Sequence, residues 1–371
     1  MTNLVFGSPG RYIQGPGCLS LIGEAVRNCG GAAVVIADAF VRGMVEDSIA
    51  ASCAEAGLGM SFFTFDGELT PEALLRLGEA VATVTCDTIV AVGGGKCIDA
   101  GKALVDGTDR AFISVPTVAS TDAPTSKNYV IYNAEHHLVR IGHLPASPRY
   151  VLVDTALISR APRAFLVTGI ADALTKMFEA EQCLKAGGRN MFGARPSLAG
   201  VALARECYRL VRLHAEEALD QAGSGQPTEA FERLVEAVLL MSGLGFESGG
   251  LSIAHAMTRG LSRVAGAKDA AHGMQVAYGL LVQLTLERRE PAFFADLFDF
   301  YDMVGLPKTL RELGTDASDD VLAQIAGPTI QTPHTRNFER VLSALDLIEA
   351  MRTLETNAMG SRPREPGHKE A

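Results

Sequence analysis

Over the first 154 positions apolar residues gather into short, nearly unbroken runs, separated by stretches where they recur at helical spacing. The runs at 32–38 (AAVVIAD), 60–65 (MSFFTF), 88–92 (TIVAV), 111–115 (AFISV) and 150–154 (YVLVD) predict strands, most of them apolar enough to be buried on both faces. Residues 41–56 predict a helix, as do 71–84, opened by Pro71. Near the N-terminus, YIQGPG at 12–17 reads as a turn, followed by an amphipathic stretch over 19–29. Strands alternating with helices predict a Rossmann-like parallel sheet with covered faces. After residue 154 no convincing strand pattern follows. From Pro162 the chain reads as helix after helix, with breaks at 187–188, 223–227, 243–250 and 305–307. The expected organisation is an α/β domain over 1–160, an all-α domain over 161–356 and a polar tail, 357–371, expected to be disordered.

Composition narrows the function classes. A chain of 371 residues with 47% hydrophobic and 20% charged residues is long enough for two cores and ordinary for a globular protein. No apolar run reaches the roughly 18–20 residues of a membrane span, and the N-terminus lacks the pattern of a signal peptide. A net charge of −10 argues against nucleic acid as a partner. The seven cysteines are scattered without a CxxC, which predicts free thiols and a cytoplasmic location.

Candidate chemistry sits in three stretches. Gly93-Gly-Gly-Lys-Cys-Ile-Asp-Ala-Gly-Lys102 follows a strand directly, so its backbone can turn tightly and offer helix N–H groups to a pyrophosphate. Asp38 and Thr117 fall at equivalent strand ends, where open α/β sheets bind ligands. Asp38 suits the ribose hydroxyls of NAD over NADP; a helix N-cap explains it equally well. Ser114–Ser126, rich in hydroxyls and stiffened by Pro116 and Pro124, forms a polar loop at the same edge. His255 and His272 lie 17 residues apart among small and apolar neighbours. Taken alone they read as two satisfied core histidines more readily than as metal ligands.

Five segments in order carry a resemblance: GGGKCIDAGKAL, SVPTVASTDAPTS, GIADALTKMFEA, GLGFESGGLSIAHA and HGMQVAYGLLVQL. Together they resemble the glycerol dehydrogenases, zinc-dependent members of the iron-containing alcohol dehydrogenase superfamily, with the dehydroquinate synthase-like fold. The resemblance implies one metal per subunit, Zn2+ with Fe2+ or another divalent ion as alternatives, held by Asp172, His255 and His272. It implies NAD along Gly94, Gly95, Lys96 and Asp99, with Thr117 and Ser120 nearby and Ser126 and Tyr132 at the nicotinamide half. Asp122 would bond the substrate's terminal hydroxyl. The implied reaction is oxidation of glycerol or a related 1,2-diol, with the metal acidifying the hydroxyl and the nicotinamide taking the hydride. A homo-oligomer, an octamer in relatives, is implied too. The other histidines, 136, 137, 143, 214, 334 and 368, match no ligand motif and are expected to be exposed.

The chain also departs from that pattern. Lys176 stands where iron-dependent relatives place a further histidine, which leaves three protein ligands. Lys127, Asn128 and Tyr129 add bulk and charge at a position expected beside the nicotinamide, unless they face the surface. The segment 330–337 (IQTPHTRN) replaces the usual wall of the cleft. Alternatives are therefore an amino alcohol or acidic polyol as substrate, a dehydroquinate synthase-like lyase or cyclase, or a non-catalytic binding protein.

Overall fold

Strands apolar on both faces need cover on both faces, and the sheet is built accordingly. The computed structural model describes residues 3–134 and 138–360, so His136, His137, His368 and residues 361–371 lie outside it. In chain order the elements are β1 (Tyr12–Gln14), α1 (Ile22–Arg27), β2 (Ala32–Ala37), α2 (Ala39–Glu55), β3 (Gly59–Thr64), α3 (Pro71–Val81), β4 (Thr88–Gly93) and α4 (Gly95–Val105). There follow β5 (Ala111–Pro116), β6 (Asn128–Tyr132), β7 (Leu138–His143), β8 (Tyr150–Val153), α5 (Thr155–Ile158) and α6 (Arg163–Lys185). The remaining helices are α7 (Leu198–Gln221), α8 (Glu229–Val235), α9 (Ser242–Gly249), α10 (Ile253–Leu261), α11 (His272–Leu286), α12 (Pro291–Val304), α13 (Asp319–Ile330) and α14 (Ala344–Gly360).

Six parallel strands form one sheet in the order β1-β8-β5-β4-β2-β3. Alternate residues enter two cores: Val34, Ile36, Ile89 and Ala91 on one face, Val35, Val90, Val92, Ile113 and Val115 on the other. Val151 and Val153 of β8 instead join the large core of the helical C-terminal region, which couples the sheet to the helices. No single described helix is long and apolar enough to cross a membrane.

All five expected strands form. Three further ones were not foreseen. The segment read as a turn contains the edge strand β1, and β6 pairs antiparallel with β7 in a hairpin that covers α4. The expected break at 243–250 also shifts. The helical path from Glu229 runs through a π-helical turn, Glu236–Met241, and then α9 to Gly249, bending only at Gly250, whose φ is +102°. Glycines inside α9 serve close packing instead: a Cβ on Gly243 would lie 1.9 Å from Thr125 Oγ1. At the C-terminus, residues 357–360 of the expected tail continue α14.

One contact sets where the loop after β5 meets the helices. Gly169 in α6 approaches the backbone of Ala119 so closely that a Cβ would fall 2.0 Å from its carbonyl oxygen. Gly169→Ala should therefore cost about 1–3 kcal/mol in denaturant unfolding. By contrast Gly43→Ala, in α2 with nothing within 4 Å of the added Cβ, should gain a few tenths to about 1 kcal/mol. Equal effects of the two changes would contradict this packing.

Candidate active site

Three helices converge on the candidate ligands. Asp172 lies in the middle of α6, His255 in the first turn of α10 and His272 at the first position of α11. A Cβ on Gly273 would meet the Thr168 carbonyl at 2.0 Å, so only glycine lets the start of α11 sit against α6. One donor atom from each of Asp172, His255 and His272 lies within 4.8 Å of the other two. Asp172 Oδ1 and His255 Nε2 are 3.2 Å apart, close to the roughly 3.4 Å expected for two ligands about 2.1 Å from one tetrahedral ion.

His255 is oriented by a residue the sequence reading missed. Glu179, two turns after Asp172 and fully buried, places Oε2 2.5 Å from His255 Nδ1. Its Oε1 accepts the backbone N–H groups of Ser252 and His255, both at 2.9 Å. Gln283 Oε1 accepts those of Ile253 and Ala254, each at 3.1 Å. The orphan donors opening α10 are thus capped from α6 and α11. Burial alone would raise the Glu179 pKa, but His255, Lys176 and these bonds bring it down to about 2.

Burial opposes charge on His255, whereas Glu179 favours it and carries its pKa up to about 9. Lys176 Nζ, however, lies 3.0 Å from Nε2, and an ammonium can bond that nitrogen only when it is unprotonated. The geometry favours the neutral tautomer with its proton on Nδ1 toward Glu179, because an imidazolium would set N–H against N–H. This leaves Nε2 as a ligand atom, held by a carboxylate behind it. His272 keeps access to solvent within dense surroundings that hold its imidazole neutral, with the pKa pushed down to about 4. Burial would raise Asp172, yet the Lys176 ammonium 2.6 Å away keeps its carboxyl well below the usual range. The donor set fits a divalent cation.

Asp122 joins this group from the loop after β5. Its Oδ2 accepts from Ser242 Oγ at 2.5 Å and lies 3.2 Å from Lys176 Nζ. The π-helical turn beside it leaves the Leu239 carbonyl to accept from Thr125 Oγ1 at 2.8 Å, pinning the same loop. Lys102 of α4 holds the loop's far end: its buried ammonium donates to the carbonyls of Ala123 and Asn128, both at 2.6 Å, and approaches Ser126 Oγ at 3.4 Å.

The expected cofactor residues line one edge of the sheet, though several carry structural bonds of their own. Asp38 caps α2, its Oδ1 accepting from Val41 N at 2.8 Å. The N-terminus of α4 at Gly94 has no side-chain cap, unlike those of α2, α3 and α7, so its first N–H groups remain available to an anion. Gly94 and Gly95 lie under Val118 and Thr121 of the facing loop, and Thr117 N reaches the Gly93 carbonyl at 3.1 Å. Ser120 is half-buried on that loop. Lys96 is exposed and paired with Glu68 at 2.7 Å. Asp99 turns toward the hairpin, accepting from Val130 N at 3.1 Å, and burial lifts its pKa to about 6. Ser126 is buried against Lys102, and Tyr132 is half-buried.

Several expectations are corrected. His334 is half-buried rather than exposed: burial pushes its pKa down to about 4, and the segment 333–337 packs against α10 and α6 beside the site. His214 is half-buried too, and His143 alone of the described others is exposed. Tyr129 is fully buried with its hydroxyl 2.5 Å from Asp106 Oδ2, Asn128 bonds His143 Nδ1 at 2.6 Å, and the Lys127 ammonium lies 5.0 Å from the centre of the Phe192 ring. Lys127 N also donates to the buried Glu247 Oε1 at 2.8 Å and the Asn128 carbonyl accepts from Lys102 at 2.6 Å, so the segment is tied to the same network as the loop after β5.

The region 9–155 matches the family model described as iron-containing alcohol dehydrogenase. A glycolaldehyde reductase from Halobacterium salinarum is 38% identical, the match covering 90% of this chain and 93% of that protein. A glycerol dehydrogenase from Pseudomonas putida is 38% identical over 91% of this chain and 95% of its own length. The crystal structure of glycerol dehydrogenase from Schizosaccharomyces pombe superposes with a TM-score of 0.92 at 32% identity, covering 100% of this chain and 97% of that one.

Glu179→Gln cannot offer acceptors to two backbone N–H groups and to Nδ1–H at once. It should weaken zinc binding roughly 10–100-fold in a chelator competition assay, and unchanged affinity would contradict the role given to Glu179. Glu247, fully buried with Oε2 unpartnered, has its pKa raised by burial from 4.5 to about 7. Its folded form holds the proton more tightly, so the associated stability is complete below about pH 4.5 and is lost as pH rises through about 7. Glu247→Gln should remove up to about 3 kcal/mol of that slope, read as a flatter Tm against pH between about pH 5 and 8.

Proposed function

Because the chain belongs to the iron-containing alcohol dehydrogenase family, we propose that it oxidises glycerol or a related 1,2-diol to the hydroxyketone with NAD as acceptor. The observation that carries this reading is the convergence of Asp172, His255 and His272, one donor atom each within 4.8 Å, beside a loop anchored to the nucleotide edge of the sheet. Those three residues would hold the divalent ion, zinc by resemblance. When bound, that ion supplies Lewis acidity at the hydroxyl and NAD takes the hydride. Glu179 keeps His255 Nε2 turned into the site. Asp122, facing the same centre, would orient the second hydroxyl of a diol. The crevice beyond β2 and β4, with the uncapped α4 and its glycines, suits the pyrophosphate, with Gly94, Gly95, Lys96, Thr117 and Ser120 around it. Asp38 would meet the ribose and disfavour a 2′-phosphate. Tyr132, Asp99 and Ser126 shape the nicotinamide half through the hairpin.

Reduction of a small hydroxyaldehyde is a second reading, supported by the Halobacterium relative, and uses the same site in reverse. We also take the chain to be a homo-oligomer, an octamer by resemblance, which light scattering on the purified protein measures directly.

The test is NADH formation over glycerol, 1,2-propanediol, 2,3-butanediol, amino alcohols and acidic polyols. Diol-dependent NADH production with NAD preferred over NADP supports the reading. Bound cofactor without net NADH release would instead indicate lyase or cyclase chemistry. His272→Ala should lose both the metal and diol-dependent NAD reduction; full activity in the metal-stripped variant would sink the ligand assignment.

A further inference from the structure

We propose that Lys176 is a tethered cation that shares its ligand atoms with the divalent ion, so that metal binding is an exchange in which the ammonium leaves His255 for Asp122. The inference rests on the metal site proposed above. Lys176 follows Asp172 by one turn of α6, so both side chains project from one helix face. Its Nζ lies 2.6 Å from Asp172 Oδ1, 3.0 Å from His255 Nε2 and 3.2 Å from Asp122 Oδ2. The side chain is 1% exposed, with the Phe246 ring centre 5.3 Å from the ammonium.

The conflict is one of lone pairs. A neutral imidazole with its proton on Nδ1 has a single lone pair, on Nε2. That pair can accept a hydrogen bond from Lys176 or ligate a metal, not both. Asp172 has lone pairs to spare, but the ion and the ammonium would both be drawn to Oδ1, where like charges repel. Asp122 offers the ammonium somewhere to go. Its carboxylate is already within 3.2 Å and buried, so a small swing of the lysine stem keeps the charge paired.

Two consequences follow for this chain. Without metal, Asp172 is never an unpaired buried carboxylate, so the metal-free protein should fold and remain stable. With metal, the lost Lys176–His255 bond and the adjacent positive charge both subtract from affinity. Lys176 thus stabilises the empty site at the expense of the filled one.

The experiment measures zinc affinity of the full chain by competition with a chromophoric chelator, for the wild type, Lys176→Met and Lys176→Gln. Melting temperatures with and without zinc are recorded alongside. The exchange predicts zinc binding about 10-fold or more tighter in both variants. It also predicts a lower melting temperature for the variants only when metal is absent. Crystals of the wild type with zinc should show Nζ released from His255 Nε2 and resting on Asp122. Affinities within about twofold of the wild type, with zinc bound, would overturn the exchange and leave the metal site standing. Failure of wild type and variants alike to bind zinc would overturn both. Zinc binding by the variants alone would support the exchange in its strongest form. If Lys176→Met does not fold, Lys176→Gln and the wild-type crystals still decide the question.

Discussion

The site depends on the pairing of Glu179 with His255. One buried carboxylate caps the start of α10 through the Ser252 and His255 amides and turns the imidazole through Nδ1. A buried carboxylate is costly unless it is fully bonded. Here the bonds that satisfy Glu179 are the same ones that aim Nε2 at Asp172. Stability and ligand orientation are therefore not separable at this residue. Asp172 and Glu179 share α6, seven residues apart, so the helix presents a candidate ligand and the support of another on one side.

Around that pairing the chain brings three supports together. The loop after β5 is fixed at Gly169, at the Leu239 carbonyl and by Lys102, which places Asp122 beside the ligand helices. β8 sends Val151 and Val153 into the helical core, tying the sheet to the region that holds the donors. The uncapped α4 at the other end of that loop leaves backbone N–H groups facing the crevice. A hydride donor and acceptor have to be held about 3–3.5 Å apart and aligned, which a loop pinned at both ends can provide.

Much of this could be read in the sequence because buried parallel strands and glycine-rich turns leave local signatures. The five apolar strands and the loop at Gly93 depend on neighbours in sequence. β1 and the β6–β7 hairpin were missed because a three-residue edge strand and a mixed polar hairpin carry little periodicity. Their stability comes from partners far along the chain, such as Val151 for Tyr12 and Lys102 beneath Asn128. Asp172, His255 and His272 came from the resemblance, and spacing alone favoured core histidines. Glu179, Gln283 and Lys102 gave no comparable signal, since a charged or amide side chain on a helix is usually solvated; only the fold shows that these are buried. His334 failed the other way, because exposure cannot be judged from polarity when a segment packs against another helix.

The most direct measurement is one structure: crystals of this chain with zinc and NAD, with data collected at the zinc edge. A single anomalous peak per chain is expected, bounded by Asp172, His255 Nε2 and His272, with His255 Nδ1 still on Glu179. A peak elsewhere, or His255 turned away from Glu179 to reach the ion, would contradict it.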